Sequence, residues 1–368
     1  MPMHSRADLS ILDDPERMRA LDPGDMLGRI GETAAQIRAA WTEARRLELP
    51  QAYRDARNIV ILGMGGSAIG GELLRTLTYS EARVPIVICR EYDLPGFVGP
   101  DSLAIGVSYS GNTEETLSAF EQARQRGCRL LAITSGGRLA ELAEQYGVPL
   151  YRFSYKAQPR AAMGYLFVPL LAVAERLGIV GSQEEGVQEA IQTVEQLSQE
   201  LAADVPAARN MAKQLAGRLH GRLPVIYGAG ILSEVARRWK GQFNENSKSY
   251  AAYDVFPELN HNAVVGYQNP ADLAEALFVV LLVSSHYHPR TLRRIEVTQE
   301  LLQRRGIPFE RVTARGRSAT AQLFTSIVAG DYTSYYLAIL YATDPSPVEP
   351  IDYLKQRLAQ LGEPFGEH

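Results

Sequence analysis

The run Leu103-Ala-Ile-Gly-Val-Ser-Tyr-Ser-Gly-Asn-Thr-Glu-Glu-Thr116 leads an apolar segment into a loop of small hydroxyl residues, with a helix expected from Thr113. Ser108, Ser110, Asn112 and Thr113 offer side-chain donors, and Gly111 lets a ligand approach the main chain. A helix N-terminus adds unpaired N–H groups and the positive end of its dipole. This is the chemistry of an anion site, and phosphate is the expected occupant. A plain N-cap at Thr113, with Glu115 or Thr116 as capping partner, would account for the Thr and Glu residues but not for the two serines before the glycine.

A second glycine-rich turn, Gly63-Met-Gly-Gly-Ser-Ala-Ile-Gly-Gly71, admits two readings. Gly63-x-Gly65-x-x-Ala68 after an apolar run fits a dinucleotide fingerprint, with Glu91 as its acidic residue. Alternatively, the glycines bring Ser67 and nearby amides to the phosphate held by Ser108 and Ser110, since adjacent parallel strands place their loops at one sheet edge. The serine loop has no role in a dinucleotide fold, so the second reading is favoured. Further along, Glu245 lies in the amide-rich segment Phe243-Asn-Glu-Asn-Ser247, and His261 is flanked by Asn260 and Asn262 after Pro257. An isolated helical Glu is ordinarily solvated and a lone His ordinarily structural. Together they offer the acid/base chemistry that moves a proton beside a carbonyl. His286-Tyr-His288 has two-ligand metal spacing but no third candidate, and reads as a surface loop.

The elements that must position these residues alternate. Short apolar runs near residues 58–62, 86–89, 103–107, 130–133 and 150–153 are separated by helical segments, as in a parallel sheet covered on both faces. Pro224-Val-Ile-Tyr-Gly-Ala-Gly230 echoes Ile59-Val-Ile-Leu-Gly-Met-Gly65, and Leu281-Leu-Val-Ser-Ser-His-Tyr-His-Pro-Arg-Thr-Leu292 echoes Gly106-Val-Ser-Tyr-Ser-Gly-Asn-Thr-Glu-Glu-Thr-Leu117. Each latter segment is followed by a helix ending in Arg-Gly, which predicts two copies of one α/β unit. The expected fold is two tandem doubly wound parallel-sheet domains with flanking helices. Its divisions are a helical extension (1–57), a first domain (58–180), a polar helical linker (181–219), a second domain (220–345) and a C-terminal helix (346–368). Met26, Ile30, Ala34, Ile37 and Trp41 recur at helical spacing and suggest a flanking helix or subunit contact.

Composition narrows the function further. A chain of 368 residues suggests about two domains at roughly 150 residues each. A net charge of -4 without a clustered Lys/Arg face argues against a nucleic-acid partner. No apolar run approaches the ~20 residues of a membrane span, and the first eight residues carry no leader core, so a cytoplasmic protein is expected. Cys89 and Cys128 lack CxxC or zinc spacing and read as buried free thiols.

Gly63-Met-Gly-Gly-Ser67, Ser108-Tyr-Ser-Gly-Asn-Thr113, Pro159-Arg160, Asn244-Glu-Asn-Ser-Lys248 and Glu258-Leu-Asn-His-Asn262 together resemble the bifunctional phosphoglucose/phosphomannose isomerases. That family is built from tandem sugar isomerase (SIS) domains of flavodoxin-like fold. The resemblance extends through Asp344-Pro-Ser-Pro-Val348 and Ile351-Asp-Tyr-Leu-Lys355, covering the chain from about residue 58. It implies that Gly66, Ser67, Ser108, Ser110 and Thr113 hold a sugar phosphate, and that Glu245 moves a proton between C1 and C2. It further implies that Arg160 stabilises the enediolate and Lys355 aids ring opening or substrate placement. His261 would assist ring opening from the partner subunit of a homodimer. No metal or other cofactor, nucleic acid or membrane is implied. The alternative is a non-catalytic SIS regulator, which would need the serine loop but not Glu245, His261 or Lys355. An amino-sugar isomerase would ordinarily need an ammonia-supplying domain.

Overall fold

Apolar runs bounded by glycines and small polar residues become the strands, and the amphipathic stretches between them become the crossover helices. The computed structural model describes residues 8–361; residues 1–7, read above for a leader, and residues 362–368 of the expected C-terminal helical segment lie outside the described residues. The chain begins with helices α1 (Pro15–Leu21), α2 (Met26–Gly31) and α3 (Thr33–Ala44). The first α/β unit follows as β1 (Asn58–Leu62), α4 (Gly65–Leu77), β2 (Ile86–Cys89), β3 (Ser102–Ser108), α5 (Glu114–Gln125), β4 (Arg129–Thr134), α6 (Gly137–Tyr146), β5 (Leu150–Arg152) and α7 (Met163–Arg176). Helices α8 (Glu184–Glu200) and α9 (Met211–Leu219) lead to the second unit. That unit runs β6 (Leu223–Ala229), α10 (Ser233–Asn246), β7 (Ala252–Phe256), α11 (Leu273–Ala276), β8 (Leu277–Val283), α12 (Pro289–Arg304), β9 (Phe309–Thr313) and α13 (Ala319–Leu340). The last described helix is α14 (Glu349–Leu361).

Both sheets are parallel, ordered β2-β1-β3-β4-β5 and β7-β6-β8-β9. The repeat read from the sequence is therefore a repeat of topology. Register pairs Leu62 with Gly106, so β1 and β3 deliver the two glycine-bearing loops to one sheet edge. Leu73 and Leu74 of α4 pack in one core cluster, whereas Ala119 and Phe120 of α5 pack in another. The chain thus leaves β1 and β3 toward opposite faces, the switch point at which such sheets bind ligands.

Two expectations change. Met26, Ile30, Ala34, Ile37 and Trp41 are split between α2 and α3, and all are buried within this chain rather than offered to a subunit. The supposed polar linker is core-forming. Val187, Ala190, Ile191, Val194 and Leu197 of α8, with Leu215 and Leu219 of α9, are buried in the main core, and both helices pack on α13. Helix α13 is buried all round over residues 320–339, which is why its sequence shows no polar face. Cys89 is buried as read, but Cys128 is only partly so. Among the described residues no helix is long and apolar enough to cross a membrane.

Candidate active site

The serine loop forms a cradle whose shape is set by its neighbours. Ser108, the last residue of β3, is buried; its Oγ lies 2.9 Å from Thr113 Oγ1 and accepts the Gly111 N–H at 3.0 Å. Thr113 sits at the N-cap of α5, yet its side chain makes no capping bond. The capping alternative therefore does not explain this threonine. Ser110 is exposed, and its Oγ accepts the Asn112 N–H at 3.2 Å. Asn112 Oδ1 accepts the Arg138 N–H at the start of α6, which orients the side chain without engaging its Nδ2 donor. Gly111 is required where it stands: its φ is +72°, and a Cβ there would lie 1.8 Å from Gly136 O.

The first loop reaches the site from β1. A Cβ on Gly63 would meet Val107 O and Ser67 Cβ, so the β1–α4 turn abuts the end of β3. A Cβ on Gly66 would find Pro159 O at 3.6 Å and Arg160 Cα at 3.9 Å. Gly66 and Ser67 thus stand beside the turn that carries Arg160.

Arg160 links the two halves of the chain. Its Nε donates to Asn246 Oδ1 at 2.7 Å, one terminal nitrogen donates to Glu245 Oε2 at 3.2 Å, and the other donates to Pro345 O at 2.6 Å and Ser346 O at 2.8 Å. Burial pulls the guanidinium below its ordinary pKa, and Glu245 opposes that shift. Glu245, near the end of α10, keeps a partly exposed carboxylate beside this buried cation. Lys248, at φ +52°, donates from Nζ to Glu245 O at 2.7 Å and Pro345 O at 3.2 Å, closing the end of α10 onto the C-terminal segment.

Several supporting residues escaped sequence reasoning. Gln36 of α3 donates to Ala161 O at 2.8 Å and accepts the Gly164 N–H, so the N-terminal extension braces the Arg160 turn. Arg238 of α10 donates to Arg160 O at 3.0 Å and to both oxygens of Asp331 on α13. A detectable signal existed for Asp331: it is the lone acidic or basic residue in the 22-residue helix α13.

The remaining candidates stay apart. His261 is exposed at the end of a short 3₁₀ turn after β7, and Lys355 is exposed on α14. Among the described residues, no hydrogen bond or ion pair joins either of them to Glu245 or Arg160. The two-histidine motif has other duties: His288 Nδ1 accepts the Arg290 N–H to cap α12, and His286 Nε2 lies 2.8 Å from Arg317 O. In the second copy, the position equivalent to the serine cradle is filled from inside. Ser284 Oγ donates to Gln322 Oε1 at 2.6 Å, Ser285 N–H donates to the same oxygen, and Gln322 Nε2 donates to Ser285 Oγ at 2.6 Å.

One chain thus places a hydroxyl-lined loop, a buried cation and a partly exposed carboxylate around the junction of its two units. A carboxylate there can accept a proton from carbon, and the cation can stabilise the oxyanion that results.

Comparison with known proteins adds independent findings. Residues 52–145 match the SIS domain family, and residues 208–358 match the bacterial phospho-glucose isomerase C-terminal SIS domain. The bifunctional phosphoglucose/phosphomannose isomerase of Caldicellulosiruptor bescii is 40% identical over 327 residues, covering 89% of this chain and 96% of that protein. The protein of the same name from Thermoplasma acidophilum is 39% identical over 302 residues, covering 82% and 90%. A glucose-6-phosphate isomerase from Chlamydia trachomatis has the same fold, with a TM-score of 0.66 at 15% identity, covering 90% of this chain and 72% of that one.

Proposed function

This chain belongs to the bifunctional phosphoglucose/phosphomannose isomerase family, and from that premise we propose that Glu245 is the base that interconverts glucose 6-phosphate and mannose 6-phosphate with fructose 6-phosphate. The protein is a sugar-phosphate isomerase, an enzyme rather than a regulator. The observation that carries the assignment of the base is the 3.2 Å pairing of Glu245 with Arg160 between the two units.

In the mechanism, the open-chain sugar lies with its phosphate on Gly66, Ser67, Ser108, Ser110 and Thr113, and its first carbons at Glu245. Binding energy at the phosphate, remote from the reacting carbons, holds the chain in place. Glu245 takes the proton from C2 of the aldose and returns it to C1, through a planar cis-enediol. Negative charge develops on the carbonyl oxygen, and Arg160 stands where it can be met. The Arg160 nitrogen paired with Glu245 carries two protons, so it can serve base and oxyanion together. Glucose and mannose 6-phosphates differ only at C2 and give the same enediol, so one base serves both.

His261 and Lys355 enter this scheme through a second copy of the chain. The turn that carries His261 packs against β7 and the 263–268 turn, which expose Tyr253, on an edge strand, and Val265. Helix α14 leaves Ile351, Leu354, Leu358 and Leu361 exposed beside Lys355. Apolar surface of this kind favours association, and a homodimer would bring one chain's His261 to the other's Glu245 for ring opening.

One experiment tests both parts. Glu245→Gln should abolish incorporation of solvent deuterium at C2 while leaving the Kd for fructose 6-phosphate close to the parent value; retained turnover removes Glu245 from the mechanism. Mixing unfolded and refolded Glu245→Gln with His261→Ala should restore about one quarter of the parent activity, because half the dimers are mixed and each holds one intact site. An inactive mixture, with both variants folded and dimeric, refutes the shared site.

A further inference from the structure

We propose that Asp331, which touches no substrate, is a positioning residue for the isomerisation: from the interior of α13 its carboxylate holds Arg238 against the main chain of Arg160, while its main-chain carbonyl anchors the Ser334–Asn246 link to the guanidinium. The proposal rests on the catalytic reading of Arg160 and Glu245 given above.

Two chains of hydrogen bonds converge on that arginine. In the first, both Asp331 carboxylate oxygens accept from one Arg238 nitrogen at 2.9 and 2.7 Å, and that nitrogen donates to Arg160 O at 3.0 Å. Gln242 Nε2 locks the carboxylate from the side at 2.7 Å. In the second, Ser334 Oγ donates to Asp331 O at 2.9 Å and accepts from Asn246 Nδ2 at 2.9 Å. Asn246 Oδ1 then accepts Arg160 Nε at 2.7 Å. The main chain and the guanidinium of Arg160 are therefore both referenced to one turn of α13.

A helix selected only to fill the core would not carry a carboxylate here. Asp331 is 4% exposed, and an ionised group at such depth persists only when paired. Its partner is not optimised for its own sake, since Arg238 Nε is buried without a hydrogen-bond partner. What the arrangement achieves is charge balance. Arg160 and Arg238 are both buried, and Asp331 neutralises one of them. Remove that charge, and an uncompensated Arg238 is left beside Arg160, whose own carboxylate partner is Glu245. Glu245 would then be held as a counter-ion instead of standing ready as a base, and Arg160 would lose its reference point.

The test uses the full-length enzyme with Asp331→Asn, Ser334→Ala and Glu245→Gln prepared side by side. Asp331→Asn preserves shape and removes charge; kcat should fall about 10- to 100-fold, the scale of a displaced reacting group, with KM within about twofold of the parent. Ser334→Ala breaks only the second chain and should lower kcat about fivefold, again with KM held. A purely structural role would lower the folded fraction and leave kcat per folded molecule unchanged. That outcome overturns the proposal, provided Glu245→Gln is inactive. An active Glu245→Gln overturns the underlying catalytic reading instead. Should Asp331→Asn fail to fold, Gln242→Leu, which removes the Nε2 donor from the Asp331 carboxylate, decides: a kcat within about twofold of the parent refutes the positioning role.

Discussion

Replacing Arg160 with lysine keeps a positive charge at the junction but removes the planar fork. The arginine side chain is 5% exposed and donates to four acceptors: Asn246 Oδ1, Glu245 Oε2, Pro345 O and Ser346 O. A single ammonium cannot reach both the Asn246 and the C-terminal side of this set. Pro345 O would keep Lys248 as donor, so one of the two other acceptors, Asn246 Oδ1 or Ser346 O, would lose its own. At about 1–3 kcal/mol for a buried acceptor left unmade, stability should fall by about 1–3 kcal/mol, within what a folded domain can lose at 25 °C. The effect on turnover is separate. Misplacing one donor to a developing oxyanion lowers kcat about 100- to 1000-fold, or about 2.7–4 kcal/mol. Fructose 6-phosphate formation should be followed from glucose 6-phosphate and mannose 6-phosphate in parallel, with thermal melting on the same samples. Because both sugars pass through one enediolate, the two kcat values should fall by the same factor with KM little changed. A kcat within about threefold of the parent, or a fall confined to one sugar, would refute the role given to Arg160.

Other perturbations separate binding from folding. Ser110→Ala should raise KM for sugar phosphates about tenfold or more with an unchanged melting temperature, since this serine is exposed and a hydrogen bond to a charged group contributes about 1.5–3 kcal/mol. Ser108→Ala should weaken binding and also lower stability by about 1–3 kcal/mol, because Gly111 N–H loses its acceptor; denaturant titration reads the difference. Gly66→Ala should leave the melting temperature nearly unchanged while weakening substrate binding, whereas Gly111→Ala, with its Cβ 1.8 Å from Gly136 O, should prevent normal folding of the loop. Acid stability should depend on Glu72, which pairs with Arg75 and Arg90. Burial raises its pKa, but the two arginines more than offset this, so the folded value lies below the ordinary 4.5. Its stabilisation is full above about pH 4.5 and is lost as pH falls through the lower folded value. Glu72→Gln should therefore flatten the acid side of a stability–pH curve and cost about 1–3 kcal/mol at pH 7.

Legibility followed the range of the interactions involved. The strands, their parallel arrangement and the duplicated unit could be read because each rests on a short apolar run and the turn after it. The serine cradle was equally local, lying between the end of β3 and the start of α5. Asn112 also braces α6 through its carbonyl oxygen, a duty that is not local because the docking of that element is not encoded beside it. The grip of Arg238 on Asp331 spans 93 residues, and that of Gln36 on Ala161 spans 125, so neither leaves a spacing pattern. Helix α8 looked like a polar connection because its buried stripe is narrow and its glutamates and glutamines dominate the composition. His261 and Lys355 were recognisable by motif, but their positions in one chain do not complete the site around Glu245.

The amide of Gln322, hydrogen-bonded into the loop of Ser284 and Ser285, acts as a permanent internal guest in the second of two sibling pockets. That pocket has already lost its conformational freedom at folding, so substrate arrival orders nothing further there. In the first unit the equivalent loop leaves Ser110 exposed, so on the reading proposed above any ordering that accompanies phosphate binding falls there. On the reading proposed above, duplication has thereby yielded one receptor and one anvil: a half that takes hold of the sugar phosphate, and a set half against which Glu245 is held.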